Sequence, residues 1–476
     1  MASLRWRNWA LAVFLPAWFL FFNWDGLRVH FALDDIGNMA HYYRDGPWWL
    51  AASQFLPWRG YYRPMGGVFY VPILHFAGLN PVPYQAALLL LLLVNVYLIH
   101  CLARQLGCGE PAAALAALAA CYHAGLGNLY YNAAFIYDVL CCFFYLATLV
   151  YYLRIRNTGR LPGWRQKTVL LALFLCALNS KEMAVTLPVM LLVYELIYHR
   201  PGEWKGPAVA AWLRGPAQTA LLAALLCAVD VFGKISGPEA LVQAEAYHPV
   251  FNLQRVRAFQ RMALSDLLFG WGSGWGGILL LFALLGFLAW RREERRELRF
   301  LWWFLLITPL PLEFLVGKSQ ACLYVPMVGW AIFGGMVFAD LVYAAAGILE
   351  REALLRWLGR GATVALLTAA GVFAWGRLNL ERKNVDAEPR MAALGLESWP
   401  IIEQLRAVNP RVRPGGSVAF LNDPLQSWDM LSIAQLWFHD RSVRIHVDRE
   451  GPMTAGELAA MDAVFIFRAG RLMQLK

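Results

Sequence analysis

Charged residues are scarce in this chain of 476 residues, since Asp, Glu, Lys and Arg together make up only 16% of it. Soluble domains usually carry about 25% charged residues. Here 59% of the residues are hydrophobic, and the mean hydropathy is +0.46. This composition excludes an ordinary soluble protein and predicts a polytopic membrane protein. The formal net charge of +10 does not indicate a nucleic-acid partner, because the basic residues cluster between apolar runs, where they report topology.

Several other sequence signals are missing. The cysteines all lie in the apolar first two-thirds of the chain, and none has metal-ligand spacing, so we expect neither a zinc site nor a redox site. The sequence has no internal repeat, no low-complexity tract and no glycine-rich phosphate loop. A glycine cluster at 270–277 is typical of close helix packing at the end of a span.

Apolar runs define about eleven predicted spans, since a helix needs about 20 apolar residues to cross the hydrocarbon. The first run has no small-residue cleavage site after it, so we interpret it as an uncleaved span. The run 66–79 is too short to cross and is predicted to be a re-entrant or surface helix. All Lys/Arg-rich loops then fall on one side of the membrane. The predicted spans are 9–24, 83–103, 111–127, 136–153, 168–179, 183–198, 216–233, 266–290, 299–316, 321–346 and 361–376.

The composition divides the chain into two predicted domains. Residues 1–376 form the transmembrane domain, which includes a first outer loop at 25–65 and a polar loop at 234–265. Residues 377–476 have the composition of a small soluble domain, which the span count places outside the cytoplasm. We expect a βαβ-like cap there. Its predicted strands are 417–421, 442–447 and 463–467, with a helix at 430–438.

Two adjacent carboxylates, Asp34 and Asp35, lie in the first outer loop. A charge near hydrocarbon is costly unless it lines a wet cavity or has a partner, so such residues are functional candidates. In one interpretation, Asp34 caps a helix that begins at Asp35. In the other, one carboxylate is a general base and the second orients it or shares its proton. Partial burial raises a carboxylate pKa toward neutrality, which suits a base for a hydroxyl group.

Further polar residues are predicted at the same outer level. The cations among them are either interfacial anchors or ligands for a lipid phosphate. If they bind phosphate, replacing Arg63 or Lys181 by Ala should weaken donor use and leave folding intact. Lys181 and Glu182 are neighbours, so we expect them to contact different partners. The candidate phosphate ligands are Arg63, Lys181 and Lys318, and the candidate substrate contacts are Tyr62, Asp138, Glu182 and Tyr324.

These motifs resemble those of the GT-C membrane glycosyltransferases, in particular the protein O-mannosyltransferase branch (family 39) and its bacterial relatives. The resemblance covers about residues 1–376 and rests on the order and placement of short elements. They are the acidic pair, Tyr61-Tyr62-Arg63-Pro64, Ser180-Lys181-Glu182 followed by Thr186-Leu187-Pro188 and Tyr194-Glu195, and Leu323-Tyr324-Val325-Pro326.

The resemblance implies an all-α polytopic enzyme that transfers a sugar from a polyprenyl-phosphate donor to the hydroxyl of an acceptor protein or glycan, with inversion. It implies Asp34 as the base and Asp35 as its partner, facing the outside of a bacterial-type plasma membrane. Many relatives carry Asp-Glu where this chain has Asp-Asp, so the choice between the two aspartates stays open. Relatives often have Arg before the Leu-Tyr element, whereas Lys318 lies several residues earlier.

Two other functions fit a membrane protein of this composition. A transporter or flippase would move a lipid-linked sugar without bond chemistry, and a scaffold would bind a partner through the cap. Transporters tend to show inverted repeats and ionisable groups near the membrane midplane, and neither is visible here. No cofactor is certain. Adjacent Asp34 and Asp35 could hold Mg²⁺ or Mn²⁺, and no other metal site is expected.

Overall fold

The computed structural model describes residues 2–237, 239–240, 243, 245–270, 274–316, 320–351, 359–425, 429–447 and 451–476. Helices dominate the described chain before residue 400, and strands occur only after it. The helices of this first part are α1 (Ala2–Asn23), α2 (Leu33–Asp45), α3 (Pro47–Ser53), α4 (Pro64–Ala77), α5 (Pro81–Leu106), α6 (Glu110–Cys121), α7 (Asn128–Tyr131), α8 (Ile136–Arg156), α9 (Trp164–Leu178), α10 (Leu187–Tyr198), α11 (Gly206–Arg214), α12 (Gln218–Ser236), α13 (Leu253–Leu267), α14 (Trp275–Trp290), α15 (Arg296–Ile307), α16 (Leu310–Glu313), α17 (Tyr324–Arg351), α18 (Gly359–Arg382) and α19 (Glu388–Ala393).

Five helical segments of the described chain are long and apolar enough to cross a membrane. Among them, α5 has both of its ends defined by local sequence signals. Asn80 caps it by accepting from the Val82 N–H at 3.2 Å, and Gly107 ends it in the left-handed conformation with φ of 99°. The five segments are Pro81–Leu106, Ala133–Arg156, Gln218–Ser236, Gln320–Glu350 and Gly359–Met391.

The helix α4 corresponds to the run that was predicted not to cross. It has 14 residues, which at about 1.5 Å per residue is shorter than a hydrocarbon core of about 30 Å. Two glycines in its first turn let α4 approach its neighbours closely. A Cβ on Gly66 would lie 2.3 Å from Tyr137 Cε1 and 2.8 Å from Tyr42 Oη. This close approach brings α2, α4 and α8 together at one end of the bundle.

The C-terminal region forms the predicted βαβ-like cap. The strand β1 pairs in parallel with β2 and β3, and β4 adds an antiparallel edge, giving the order β2-β1-β3-β4. The fold class predicted from the sequence is therefore confirmed. The elements of the cap are α20 (Ser398–Val408), β1 (Ser417–Leu421), α21 (Asp429–Phe438), β2 (Arg444–Val447), α22 (Ala455–Ala460), β3 (Ala463–Arg468) and β4 (Arg471–Gln474).

Two boundaries differ from the sequence-based expectation. The predicted polar loop 234–265 contains α13, whose amphipathic sequence is capped by Asn252 accepting from the Arg255 N–H at 2.7 Å. Because α13 is only half apolar, it was not recognised among the spans. The helix α18 continues through the predicted domain boundary at residue 377 and ends at Arg382.

Polar contacts fasten the polar C-terminal part to the segment between α1 and α5. Each contact joins a residue after 380 to a residue between the end of α1 and the start of α5. They are Lys383 Nζ to Asp25 Oδ2 at 2.6 Å, Ser398 Oγ to the Phe31 carbonyl at 2.5 Å, Arg406 Nη2 to the Leu79 carbonyl at 2.9 Å, and Arg441 Nε to the Tyr43 carbonyl at 2.8 Å.

Replacing Gly66 by Ala should destabilise the protein by about 1–3 kcal/mol, because the new methyl group overpacks the contact with Tyr137 and Tyr42. Gly37→Ala is the matched control. Gly37 lies inside α2 with no atom within 4 Å of an added Cβ, so this change should stabilise by about 0.5–1 kcal/mol. Thermal unfolding of the purified variants measures both effects. Equal stability of the two variants would contradict the close approach of α4.

Candidate active site

The acidic pair lies in the first turn of α2, and its two members have different environments. Asp35 is fully buried, and its Oδ2 accepts from the Ala32 N–H at 3.0 Å. Asp34 is exposed and makes no side-chain hydrogen bond to another described residue. The interpretation that Asp34 caps a helix beginning at Asp35 is wrong. The helix begins at Leu33, and Asp35 satisfies the free N–H at its start.

Asp35 is also connected to the neighbouring helices through Tyr70. Its Oδ1 lies 3.2 Å from Tyr70 Oη, which lies 2.9 Å from the Ala133 carbonyl. A carbonyl only accepts, so the single Tyr70 proton satisfies Ala133 when the Tyr70 oxygen accepts from a protonated Asp35. Burial raises the pKa of Asp35 to about 7, although its contacts with Ala32 and Tyr70 oppose the shift. Near neutral pH, Asp35 therefore exists in both its neutral and its charged form.

A second hydrogen-bonded group joins α2 to the Tyr-Arg-Pro element. Tyr42 Oη donates to the Arg63 carbonyl at 2.7 Å and lies 3.0 Å from Tyr137 Oη. The Arg63 guanidinium contacts Glu182 bidentately, with Nε to Oε1 at 3.0 Å and Nη2 to Oε2 at 2.8 Å. It also lies 5.5 Å from the Tyr137 ring centre. Arg63 is thus fixed in position by a carboxylate and an aromatic ring.

Lys181 pairs with Asp138, whereas its neighbour Glu182 pairs with Arg63. This confirms the expectation that the two residues have separate partners. Lys181 Nζ lies 2.6 Å from Asp138 Oδ1 and 2.7 Å from Asp138 Oδ2. Both side chains are at least nine-tenths buried. Such a pair has lost most of its hydration, so each member depends on the other.

A cavity of about 290 Å³ lies beside these ion pairs, between the Lys181–Glu182 turn, α12 and α16. Its wall brings together the predicted residues Tyr62, Lys181 and Glu182. It also contains Asp230 and Lys234 of α12, which the sequence interpretation missed. The sequence signal for these two residues is a pair of opposite charges, four residues apart, at the end of an otherwise apolar run.

The remaining predicted residues have other positions. Tyr324 begins α17 and is 1% exposed within the core. Tyr324 does not line the cavity of about 290 Å³, and its contact with a substrate stays a prediction. Lys318 lies outside the described residues.

The acidic pair does not present two free carboxylates to one cation. Asp34 faces outward, whereas both oxygens of Asp35 have protein partners. Within the described ranges, no group of three or more His, Cys, Asp or Glu could hold a metal ion. Mg²⁺ or Mn²⁺ therefore finds a poor ligand set in the acidic pair.

Solved structures share this architecture. No protein-family model matches the chain, and no curated protein does. ArnT from Cupriavidus metallidurans, bound to undecaprenyl phosphate, is similar over 98% of this chain and 97% of its own, with TM-score 0.54 and 15% identity. The oligosaccharyltransferase AglB from Archaeoglobus fulgidus, in complex with an inhibitory peptide and a dolichol-phosphate, is similar over 92% of this chain, with TM-score 0.50 and 12% identity. This chain spans only 64% of AglB. At these identities, the similarity shows a shared fold.

Replacing Lys181 by Ala should destabilise the protein by about 3–5 kcal/mol, because Asp138 would remain buried without its partner. This prediction replaces the sequence-based expectation that folding stays intact. The double variant Lys181→Met/Asp138→Leu removes both charges and should recover most of the loss. Thermal unfolding of both proteins measures the difference. If the double variant were no more stable than Lys181→Ala, the burial of this pair would be refuted.

The stability of the protein should fall as the pH rises from 4 to 8, relative to Asp35→Asn. Asp35 has a pKa of about 7 when folded and 3.8 in its reference state, so the folded state holds the extra proton between these values. That contribution is complete below pH 4 and is lost through pH 7, with a slope of at most about 1.4 kcal/mol per pH unit.

The measurement is thermal unfolding of both proteins at pH 5, 6, 7 and 8. Asn keeps the size of Asp35, accepts from Ala32 and donates to Tyr70, but it does not titrate. Asp340→Asn is the control, because Asp340 is 55% exposed in its pair with Arg295 and should follow the wild type. Parallel curves for the wild type and Asp35→Asn would contradict a buried, titrating Asp35.

Proposed function

We propose that this chain, which has the GT-C fold, is a membrane glycosyltransferase that uses a polyprenyl-phosphate sugar as its donor. The acceptor is a hydroxyl group of a protein or glycan. The active site and the cap face the outside of a bacterial-type plasma membrane. The main support is the asymmetric acidic pair, in which an exposed Asp34 is held on a helix that Asp35 anchors from inside.

The reaction that we propose is a single displacement. Asp34 takes the proton of the acceptor hydroxyl, and the hydroxyl oxygen attacks the anomeric carbon. The bond between that carbon and the phosphate oxygen breaks, and its electron pair leaves with the polyprenyl phosphate. In-line attack inverts the anomeric centre. Asp35 keeps the start of α2 in place and is therefore a positioning residue, while Asp34 is the catalytic one.

The charge that builds up on the leaving phosphate needs fixed positive groups, usually the largest catalytic contribution. Arg63 uses Nε and Nη2 for Glu182, which leaves Nη1 for a phosphate oxygen. Lys181 lines the cavity beside it. Because both cations are already held by carboxylates, they are oriented before the donor binds and need little reorganisation.

Two observations support a lipid donor. The chain has helices long and apolar enough to cross a membrane among its described residues, so a lipid could reach the cavity from the side. Both similar structures contain a polyprenyl phosphate, undecaprenyl phosphate in ArnT and dolichol-phosphate in AglB.

Asp34→Asn should lower sugar transfer at least about a hundredfold, the lower range of general-base contributions, and preserve donor binding. Asp35→Asn should cost at most about tenfold, the effect of one weakened hydrogen bond. The assay measures labelled sugar transferred or released from a polyprenyl-phosphate donor by purified protein. Asp340→Asn is the control.

The possible outcomes separate the competing functions. Loss in Asp34→Asn alone supports the proposal, whereas loss in Asp35→Asn alone would make Asp35 the base. If the wild type moves labelled lipid across vesicles without breaking the sugar–phosphate bond, it is a transporter. If it does neither, the chain is a scaffold, and the transferase function is refuted.

A further inference from the structure

The helix α12 carries two opposite charges, Asp230 and Lys234, on the wall of the cavity. Their side chains are only 4% and 7% exposed, and the ammonium nitrogen lies 3.2 Å from Asp230 Oδ2. Charged groups inside an apolar helix are expensive, so they are retained where they line a cavity or serve a function. The proposed reaction uses neither of them.

The partners of the two side chains are unequal. Lys234 Nζ donates to the Leu178 carbonyl at 2.7 Å and to Asp230, and it lies 5.6 Å from the Tyr62 ring centre. Asp230 Oδ1, by contrast, is buried and has no hydrogen-bond partner in the described chain. A buried acceptor without a donor is unfavourable, and more so for a charged group. This oxygen therefore points to a ligand that donates a hydrogen bond.

The chemistry of the pair identifies the type of ligand group. Asp230 Oδ1 requires a donor, and an ammonium group has three N–H bonds, of which two are used by Leu178 and Asp230. A hydroxyl group both donates and accepts, so adjacent hydroxyls of one ring could satisfy both side chains. The cavity volume of about 290 Å³ is at the lower limit for small-molecule sites, about 300–1,000 Å³. That size suits a monosaccharide better than an oligosaccharide.

We infer that Asp230 and Lys234 bind hydroxyl groups of the transferred sugar, and that the donor carries a single sugar unit. This inference rests on the proposed function, because it assumes that a polyprenyl-phosphate sugar occupies the cavity. The pair would select the sugar, while Arg63 and Lys181 bind the phosphate that all such donors share.

The experiment measures dissociation constants of the full-length protein in lipid nanodiscs. The probes are undecaprenyl phosphate and a panel of undecaprenyl-phosphate hexoses and pentoses. For each sugar, the dissociation constant of undecaprenyl phosphate divided by that of the sugar-bearing lipid gives the gain in affinity that the sugar provides. In the wild type, at least one sugar should tighten binding. Asp230→Asn should reduce that gain about tenfold, since a charge-assisted hydrogen bond becomes a neutral one, and leave binding of undecaprenyl phosphate unchanged.

Two further variants separate recognition from folding. Asp230→Leu/Lys234→Met replaces both buried charges by apolar side chains, which buried pairs often tolerate, and should abolish the gain. Glu381→Gln is the matched control. Glu381 pairs with Arg377 at the same spacing on α18, where both are exposed. It should behave as the wild type. A donor lacking the hydroxyl that contacts Asp230 should bind more weakly than the complete donor, and this loss should be larger for the wild type than for Asp230→Asn.

The outcomes are distinguishable from failure of the proposed function. If undecaprenyl phosphate and its sugar derivatives bind the variants more weakly by the same factor, the pair has a structural role only, and the inference is overturned. An unchanged ratio in Asp230→Asn, or no preferred sugar for the wild type, overturns it equally. In these cases Asp34-dependent transfer by the wild type would leave the proposed function intact. A wild type that binds neither lipid would refute the proposed function itself.

Discussion

The high energetic cost of burying charge organises the part of this protein around the cavity. Three buried or half-buried ion pairs among the described residues border or adjoin the cavity, and two of them join separate parts of the chain. They are Arg63 with Glu182, Lys181 with Asp138, and Lys234 with Asp230. Since removing one member leaves the other buried and unpaired, the elements that carry them cannot move apart cheaply. The result is a group of paired charges held in fixed positions beside the cavity.

The acidic pair illustrates how environment assigns different roles to identical residues. Consecutive positions on a helix point in directions about 100° apart, so two adjacent carboxylates have different surroundings. Asp35 faces the core, where Ala32 and Tyr70 hold it, and Asp34 is exposed. No property of the dipeptide Asp-Asp itself determines this direction. It follows from the start of α2 at Leu33 and from the close approach of α4.

The sequence predicted the fold class and much of the cap, because both depend on local patterns. Apolar length identified the long helices, and the strand β1 was predicted at the residues where it occurs, 417–421. The amphipathic helix α13 was missed because its pattern is that of a polar loop with scattered apolar residues. The short strand β4 was missed as well, since its four residues gain their order by pairing with β3.

The candidate site could be predicted in part. Asp34, Asp35, Arg63, Lys181 and Glu182 were identified from their shared outer level. Their pairing was not predictable, because Arg63 and Glu182 are 119 residues apart in the sequence, and only the packing of the helices brings them together. Asp230 and Lys234 were missed because apolar character dominated the assignment of their segment, and the burial of Tyr324 was missed for the same reason.

The contacts that fasten the C-terminal part to the segment between α1 and α5 have a consequence for the biogenesis of the protein. Ribosomes deliver the chain from its N-terminus, so the segment that contains α2 emerges long before Lys383, Ser398, Arg406 and Arg441 can reach it. The segment that contains α2 therefore lacks these contacts until nearly the whole polypeptide has been inserted. Assembly of the acidic pair in its final setting thus becomes a late event of biogenesis, and a prematurely terminated chain would lack it.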